Sequence, residues 1–347
     1  MSANKRQVLL IAPLYMDLYK DIVAELETRG YAVDFVPEQS QKGDPCNVRG
    51  YNMYKGVNLS KEKFDEKNRQ RWVEILEQHK EKYDILLVID GQSIDKILFE
   101  ELKRRNSHLR SFNYLFDTTS GVYEFQHNFP LFDKVFTFDM VEAEKYNISY
   151  LPIYWIEATP SEKFHYDVFG LGALSQPRYE LFKAVKNVCE KKEYSYFLKL
   201  LPNFHIKYMS LYKIRNVIRT MLGVDKRNIV SAKALTSEFI IEKGMAPSEF
   251  REYVYSSSII VDTSAPHQTG LTARFMWALG AGKKIITTNQ FVMRTSLFDP
   301  DKVMVFKEDT SMEQVYNFMS NNADDAYSCQ EEIESYRIDR WLNTILQ

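Results

Sequence analysis

Residues 259–289 constrain the fold more than any other stretch of the 347-residue chain. Residues 259–261 (Ile-Ile-Val) form an apolar run too short for a helix and read as a buried strand ending at Asp262. A loop with Pro266 follows. Gly270 then opens a helix on which Leu271, Phe275, Ala278 and Leu279 recur at helical spacing, and Gly280 and Gly282 end it. Residues 284–288 read as a second strand, stopped by Asn289. The helix N-terminus at the carboxyl end of a parallel strand offers free N–H groups and a partial positive charge, which suit a phosphate. Gly270 would let the backbone approach closely. Thr269 and Thr272 add hydroxyls, and Arg274 lies about one turn further in.

Pro266, Gln268, Thr269, Gly270, Leu271, Thr272 and Arg274, with Ala278, Leu279, Gly280, Gly282, Lys283, Lys284 and the Ile-Thr-Thr-Asn run at 286–289, also carry a family likeness. The stretch resembles the donor-binding segment of GT-B glycosyltransferases of the bacterial lipopolysaccharide and capsular polysaccharide type. That resemblance implies an α/β chain of two Rossmann-like, doubly wound domains facing a cleft, with a C-terminal helix crossing back to the first. It implies transfer of a sugar from a nucleotide-sugar to a saccharide or polyprenyl-linked saccharide acceptor. It implies no cofactor or metal, because helix N-termini and basic side chains neutralise the leaving diphosphate. One position departs: Trp277 stands where the family has a Glu that binds the ribose hydroxyls.

Composition agrees with two domains, since 347 residues at 45% hydrophobic content can bury two cores. Forty-five basic against 47 acidic residues leave a net charge of −2, so no charge bias points to nucleic acid. Cys46, Cys189 and Cys329 lack disulfide or zinc spacing, which fits a reducing cytosol. Lys5 and Arg6 precede an apolar run at 8–12 too short for a signal peptide, and no stretch approaches the ~20 apolar residues of a membrane span. A cytoplasmic location, at the inner face of the cell membrane, is the expectation.

The boundaries expected are 1–155 for an acceptor domain, 156–324 for a donor domain and 325–347 for the returning helix. Strands are expected at 8–12, 32–36, 85–89, 112–116 and 135–138, with helices between them and a polar lid at 37–59 holding Arg49, Tyr51, Tyr54 and Lys55. There is no G-x-G-x-x-G after the first strand, which disfavours a simple dehydrogenase. Asp90, Asp117 and Asp139 fall at carboxyl ends of strands, where open α/β sheets bind ligands. Asp117, followed by Thr118-Thr119-Ser120-Gly121, is the preferred general base, with Asp139 and Asp17 as further catalytic candidates. For any one of them the commoner role is a helix cap or a loop acceptor. The segment 132–146 resembles the family's last N-terminal strand.

Trp155 sits at the expected crossing, as a wedge between domains or a sugar platform. A second βαβ series begins with a strand at 166–169, ending in Gly170-Leu171-Gly172 before a helix opened by Arg178. Gly170 and Gly172 would cradle a diphosphate and Arg178 would neutralise it. A strand is expected at 239–242. The resemblance assigns nucleobase contacts to the loop after it, with Lys243 and Met245. His267 adjoins the phosphate motif as a further donor-side residue. Thr310 and Glu313 read as a capping box, and 325–346 as one long helix.

Residues 199–233 hold eight basic side chains (Lys199, Lys207, Lys213, Arg215, Arg219, Lys226, Arg227 and Lys233) against Asp225 alone, with Tyr208, Leu211, Tyr212, Ile214 and Ile218 among them. This is either a peripheral membrane contact or the solvated face of a crossover helix. Alternatives to a transferase are a nucleotide-sugar epimerase, a non-catalytic GT-B-derived binding protein, which Trp277 supports, and a two-domain solute-binding protein.

Overall fold

The computed structural model describes residues 5–38, 61–91, 93–119, 125–157, 166–202, 208–222, 229–264, 268–321 and 327–347. Of the expected lid only Pro37 and Glu38 are included. Arg49, Tyr51, Tyr54, Lys55, Ser120, Gly121, His267, Lys207, Asp225, Lys226 and Arg227 lie outside the described residues. The chain divides into two compact units. The first comprises Met1–Ile153, His267–Gly270 and Ile338–Gln347, and the second Tyr154–Pro266 and Leu271–Arg337.

The first unit is built on β1 (Gln7–Ala12), β2 (Ala32–Pro37), β3 (Ile85–Ile89), β4 (Arg110–Leu115), β5 (Lys134–Thr137) and β6 (Ser149–Tyr150). All neighbours pair in parallel, in the order β2-β1-β3-β4-β5-β6. Central β3 is buried along its whole length, which explains its unbroken apolar run. Helices α1 (Leu18–Thr28), α2 (Lys61–Gln78), α3 (Lys96–Arg105) and α4 (Met140–Tyr146) connect the strands. Trp72 of α2 is fully buried and donates its indole N–H to the Ser93 carbonyl at 2.6 Å. The sheet does not end at β5, as expected; the two-residue β6 is its edge, too short to show any periodicity.

The second unit is built on β7 (Val168–Ala173), β8 (Tyr196–Leu201), β9 (Ile259–Asp262), β10 (Lys284–Thr287) and β11 (Val303–Val305), all parallel, in the order β11-β10-β9-β7-β8. Its helices are α5 (Gln176–Lys192), α6 (Met209–Met221), α7 (Ala232–Leu235), α8 (Pro247–Ser256), α9 (Ala273–Gly280), α10 (Met312–Ser320) and α11 (Gln330–Ser335). In each unit the strand order reverses between the first strand and the third, at β1/β3 and at β7/β9. Ligands of open α/β sheets bind beyond the carboxyl ends of the strands at such a reversal.

Four local expectations are corrected. The strand at 239–242 is a single bridge from Ile240 to Leu200, because only the backbone groups of Phe239 and Ile241 reach β8. The capping box lies one residue on, with Ser311 and Gln314 exchanging bonds. The final helix is two: α11, and α12 (Ile338–Leu346). The break follows from the backbone of Trp155, whose N–H donates to the Tyr336 carbonyl at 3.1 Å and which bridges to Arg337. Trp155 is not a sugar platform, because its ring is covered. It is buried in the second unit, donates to the Ile333 carbonyl at 2.8 Å, and lies so close over Gly280 that a Cβ there would meet its ring at 2.2 Å.

The last helix, α12, completes the first unit. Trp341 is fully buried, meets the Tyr114 ring edge-on at 4.7 Å, and donates its N–H to the Pro152 carbonyl at 3.1 Å. Arg29 at the end of α1 donates to the Asn343 side chain at 2.8 Å. Trp341→Ala should therefore destabilise the first unit by about 3–5 kcal/mol, the usual cost of emptying a site of this size. Thermal and urea unfolding followed by circular dichroism would measure it.

Candidate functional site

The strand reversal in the second unit lies beside β7, β9 and the first turn of α5. Helix α5 begins with Ser175, whose hydroxyl accepts the Arg178 N–H, and with Pro177 in its first turn. Arg178 is half-buried there. Its Nε donates to the Thr263 hydroxyl at 2.7 Å, one terminal nitrogen to the Ala173 carbonyl at 2.8 Å and the other to the Thr263 carbonyl at 3.3 Å. The guanidinium is thus held over the carboxyl ends of β7 and β9. Gly172 adjoins it: a Cβ at this position would lie 3.3 Å from the Thr263 hydroxyl and 3.5 Å from Arg178. Gly170 is different. Both glycines lie within β7, but a Cβ at Gly170 would meet Leu198 and Phe182 at 3.0 Å. Close core packing explains this glycine, so its expected place in a diphosphate cradle is corrected.

Asp262, at the end of β9, organises the other side of the reversal. It is 1% exposed. One oxygen accepts the Thr272 hydroxyl at 2.7 Å and Arg274 Nε at 3.0 Å, and the other accepts the Thr287 hydroxyl at 3.1 Å. Thr272 also caps α9 by accepting the Phe275 N–H. The helix therefore opens at Ala273, not at Gly270. Arg274 is buried and also donates to the carbonyls of Leu171 and Thr263. The guanidinium braces β7, β9 and α9 from within. Leu271 is a buried core residue. Trp277 is 1% exposed, packs against Phe250, lies under the Arg251 guanidinium at 4.6 Å, and among the described residues has no acceptor for its indole N–H. In the loop before α8, Lys243 is exposed and Met245 half-buried.

In the first unit Asp139 is the busiest carboxylate. It caps α4 by accepting the N–H groups of Val141 and Glu142 at 3.1 and 3.2 Å. It also accepts the N–H groups of Thr269 and Gly270 at 2.8 and 3.0 Å and the Thr269 hydroxyl at 2.5 Å. Five donors use the roughly four lone-pair positions of a carboxylate, so no position remains to take a proton from an acceptor hydroxyl. Asp139 thus anchors the backbone of Thr269 and Gly270, whose donors face it. Gly270 is glycine for another reason: a Cβ would meet the Phe138 ring at 2.4 Å. Gln268, just before, is half-buried.

Asp17 stands in the left-handed region (φ 57°) ahead of α1 and pairs with Lys20 at 2.8 Å. Asp117 is half-buried after β4, and its backbone N–H and that of Phe116 are fixed by one oxygen of Asp90 at 3.2 and 2.7 Å. The loop beyond is held by Glu142, which accepts the N–H and hydroxyl of Thr119 at 2.5 and 2.7 Å. Burial raises the Glu142 carboxyl above its usual range, against those Thr119 bonds, which lower it. Sequence reasoning missed Asp262 as an organiser, and it missed Thr263, Thr287 and Glu142. The Asp139-x-x-Glu142 spacing was the available signal for the last, although the Glu turns to Thr119 and not back to the cap.

No protein-family model and no curated protein matches the chain. Solved structures do. An α,α-trehalose-phosphate synthase (UDP-forming) from Burkholderia vietnamiensis is 8% identical with a TM-score of 0.59, covering 99% of each chain. AviGT4, a glycosyltransferase involved in avilamycin A biosynthesis, is 9% identical with a TM-score of 0.53, covering 98% of this chain and 96% of its own. A protein assigned as a UDP-N-acetylglucosamine 2-epimerase from Listeria monocytogenes is 12% identical with a TM-score of 0.54, covering 99% and 95%. With the two parallel α/β sheets, these likenesses establish the GT-B fold.

Two outcomes test the roles of these residues. Arg274→Ala leaves Asp262 buried without its cation and should cost about 3–5 kcal/mol, whereas half-buried Arg178→Ala should change stability far less, as thermal unfolding would show. The raised Glu142 carboxyl favours the folded state while protonated, and this contribution is lost as pH rises through its folded value. Glu142→Gln should therefore gain stability relative to the parent between the ordinary glutamate value of 4.5 and neutrality, read as the difference in Tm along that pH series.

Proposed function

We propose that the chain is a glycosyltransferase. It moves a sugar from a nucleotide-sugar to a saccharide or lipid-linked saccharide in the assembly of a cell-surface polysaccharide of the lipopolysaccharide, O-antigen or capsule type. The observation that carries this reading is the Arg178 guanidinium, fixed on Thr263 and Ala173 at the β7/β9 reversal beside Gly172. A leaving diphosphate needs a preorganised cation where its charge develops, and Arg178 with the first turn of α5 supplies one without a metal. The GT-B fold and the likeness of residues 266–289 to a donor-binding segment support the same assignment. Lys243 and Met245 would meet the nucleobase.

Asp117 is the preferred general-base candidate for the acceptor hydroxyl, on a backbone that Asp90 fixes through the Asp117 N–H. An epimerase shares this fold, and a second carboxylate or histidine at the same sugar carbon would distinguish it.

Trp277 favours a second reading, a non-catalytic binding protein. An indole has one donor and no carboxylate for a ribose diol, and this one is buried.

The experiment is a thermal-shift series with UDP, GDP, CMP, dTDP and ADP. UDP leads because it is the nucleotide named for two of the similar structures. A nucleotide at a hundred times its Kd adds about 2.7 kcal/mol to the folded state. A selective rise that Arg178→Ala abolishes is expected. No rise with any nucleotide would replace the transferase with the binding protein.

A further inference from the structure

Helix α6 turns its apolar side outward. Asn216 is buried and donates to the Val230 carbonyl at 2.8 Å, while Met209 and Tyr212 pack on the core of the second unit, so that side seats the helix. Opposite it, Leu211, Ile214, Val217, Ile218, Met221 and Leu222 range from 52% exposed at Ile218 to 80% at Met221. At 3.6 residues per turn these six fill an arc of about 140°. Lys213 borders one edge of the arc and Arg215 and Arg219 the other, and residues 208–222 contain no Asp or Glu. Arg215 is held upright against the Tyr212 ring, 4.1 Å from its centre.

Basic residues on the strip therefore flank an exposed apolar arc, and both features point one way. A soluble face would be polar, and a stripe meant for the core would be covered. A second copy of α6 laid on the first would bring Lys213, Arg215 and Arg219 against like charges. An anionic bilayer surface accepts both parts at once: the arc enters the acyl boundary and the three cations stay among the headgroups. Among the described residues no helix is long and apolar enough to cross a membrane, so this contact lies in the interface plane.

We propose that α6 is an interfacial membrane-docking helix that seats the second unit on an anionic lipid surface. The inference does not depend on the reaction assigned above. The test is co-sedimentation of the full chain with phosphatidylcholine vesicles, with and without phosphatidylglycerol. Binding is expected to the anionic vesicles, weakened by salt. It should fall roughly tenfold or more in Ile214→Glu/Ile218→Glu, and separately in Lys213→Glu/Arg215→Glu/Arg219→Glu, since each basic residue near such a surface contributes about 1 kcal/mol. Both variants alter the outer and flanking positions, and unchanged circular dichroism with an unchanged nucleotide thermal shift would show the fold and donor site intact. Absence of binding to anionic vesicles, or binding that survives Ile214→Glu/Ile218→Glu, overturns the proposal. So does a parent dimer, seen by light scattering, that this variant makes monomeric.

Discussion

One buried carboxylate at the end of β9 gathers the second unit's carboxyl edge. Asp262 draws in a hydroxyl from the cap of α9, a guanidinium from its first turn and a hydroxyl from β10. A carboxylate in this position is stable only while its partners remain, because an unpaired buried charge is far costlier than the bonds that neutralise it. The consequence is positional. Thr272 cannot both reach Asp262 and cap the helix unless α9 starts where it does. Arg274 then extends to the Leu171 and Thr263 carbonyls, which fixes the end of β7 against β9. Arg178 rests on the same Thr263, so its placement inherits the rigidity of the cluster behind it.

The first unit solves the same problem differently. Asp139 gathers the backbone of Thr269 and Gly270 instead of side chains, and Phe138 allows only glycine at 270. Asp90 and Glu142 fix the two ends of the loop at Asp117–Thr119. Three acidic residues at strand ends and helix starts thus act as acceptors for loop N–H groups. A loop on a sheet edge has many unsatisfied donors, and short acidic side chains answer them locally.

The sequence made the architecture legible because buried parallel strands announce themselves as short apolar runs. Residues 8–12, 85–89 and 259–261 all became strands. Elements defined by tertiary contact were not legible: β6 has two residues, and the break between α11 and α12 depends on Trp155, some 180 residues away in sequence. At the candidate site, residue types were readable but their commitments were not. Arg274 and Thr269 have the chemistry to hold phosphate, yet a carboxylate distant in the chain or hidden at a strand end already occupies each. Arg178 is oriented by the Thr263 hydroxyl and by the Thr263 and Ala173 carbonyls, none of which a residue-type reading of the sequence could name.

The discontinuity of the first unit has a consequence for its biosynthesis. Its six strands are complete by Tyr150, but Trp341, which covers Tyr114, comes after the whole second unit in the chain. A ribosome releasing this chain from its N-terminus therefore exposes a finished sheet whose aromatic socket stays open through the synthesis of the whole second unit. Only the synthesis of α12 supplies the plug. The first unit to emerge is the last to close, and a nascent chain stalled before residue 338 would present Tyr114 to whatever chaperone or protease waits at the exit.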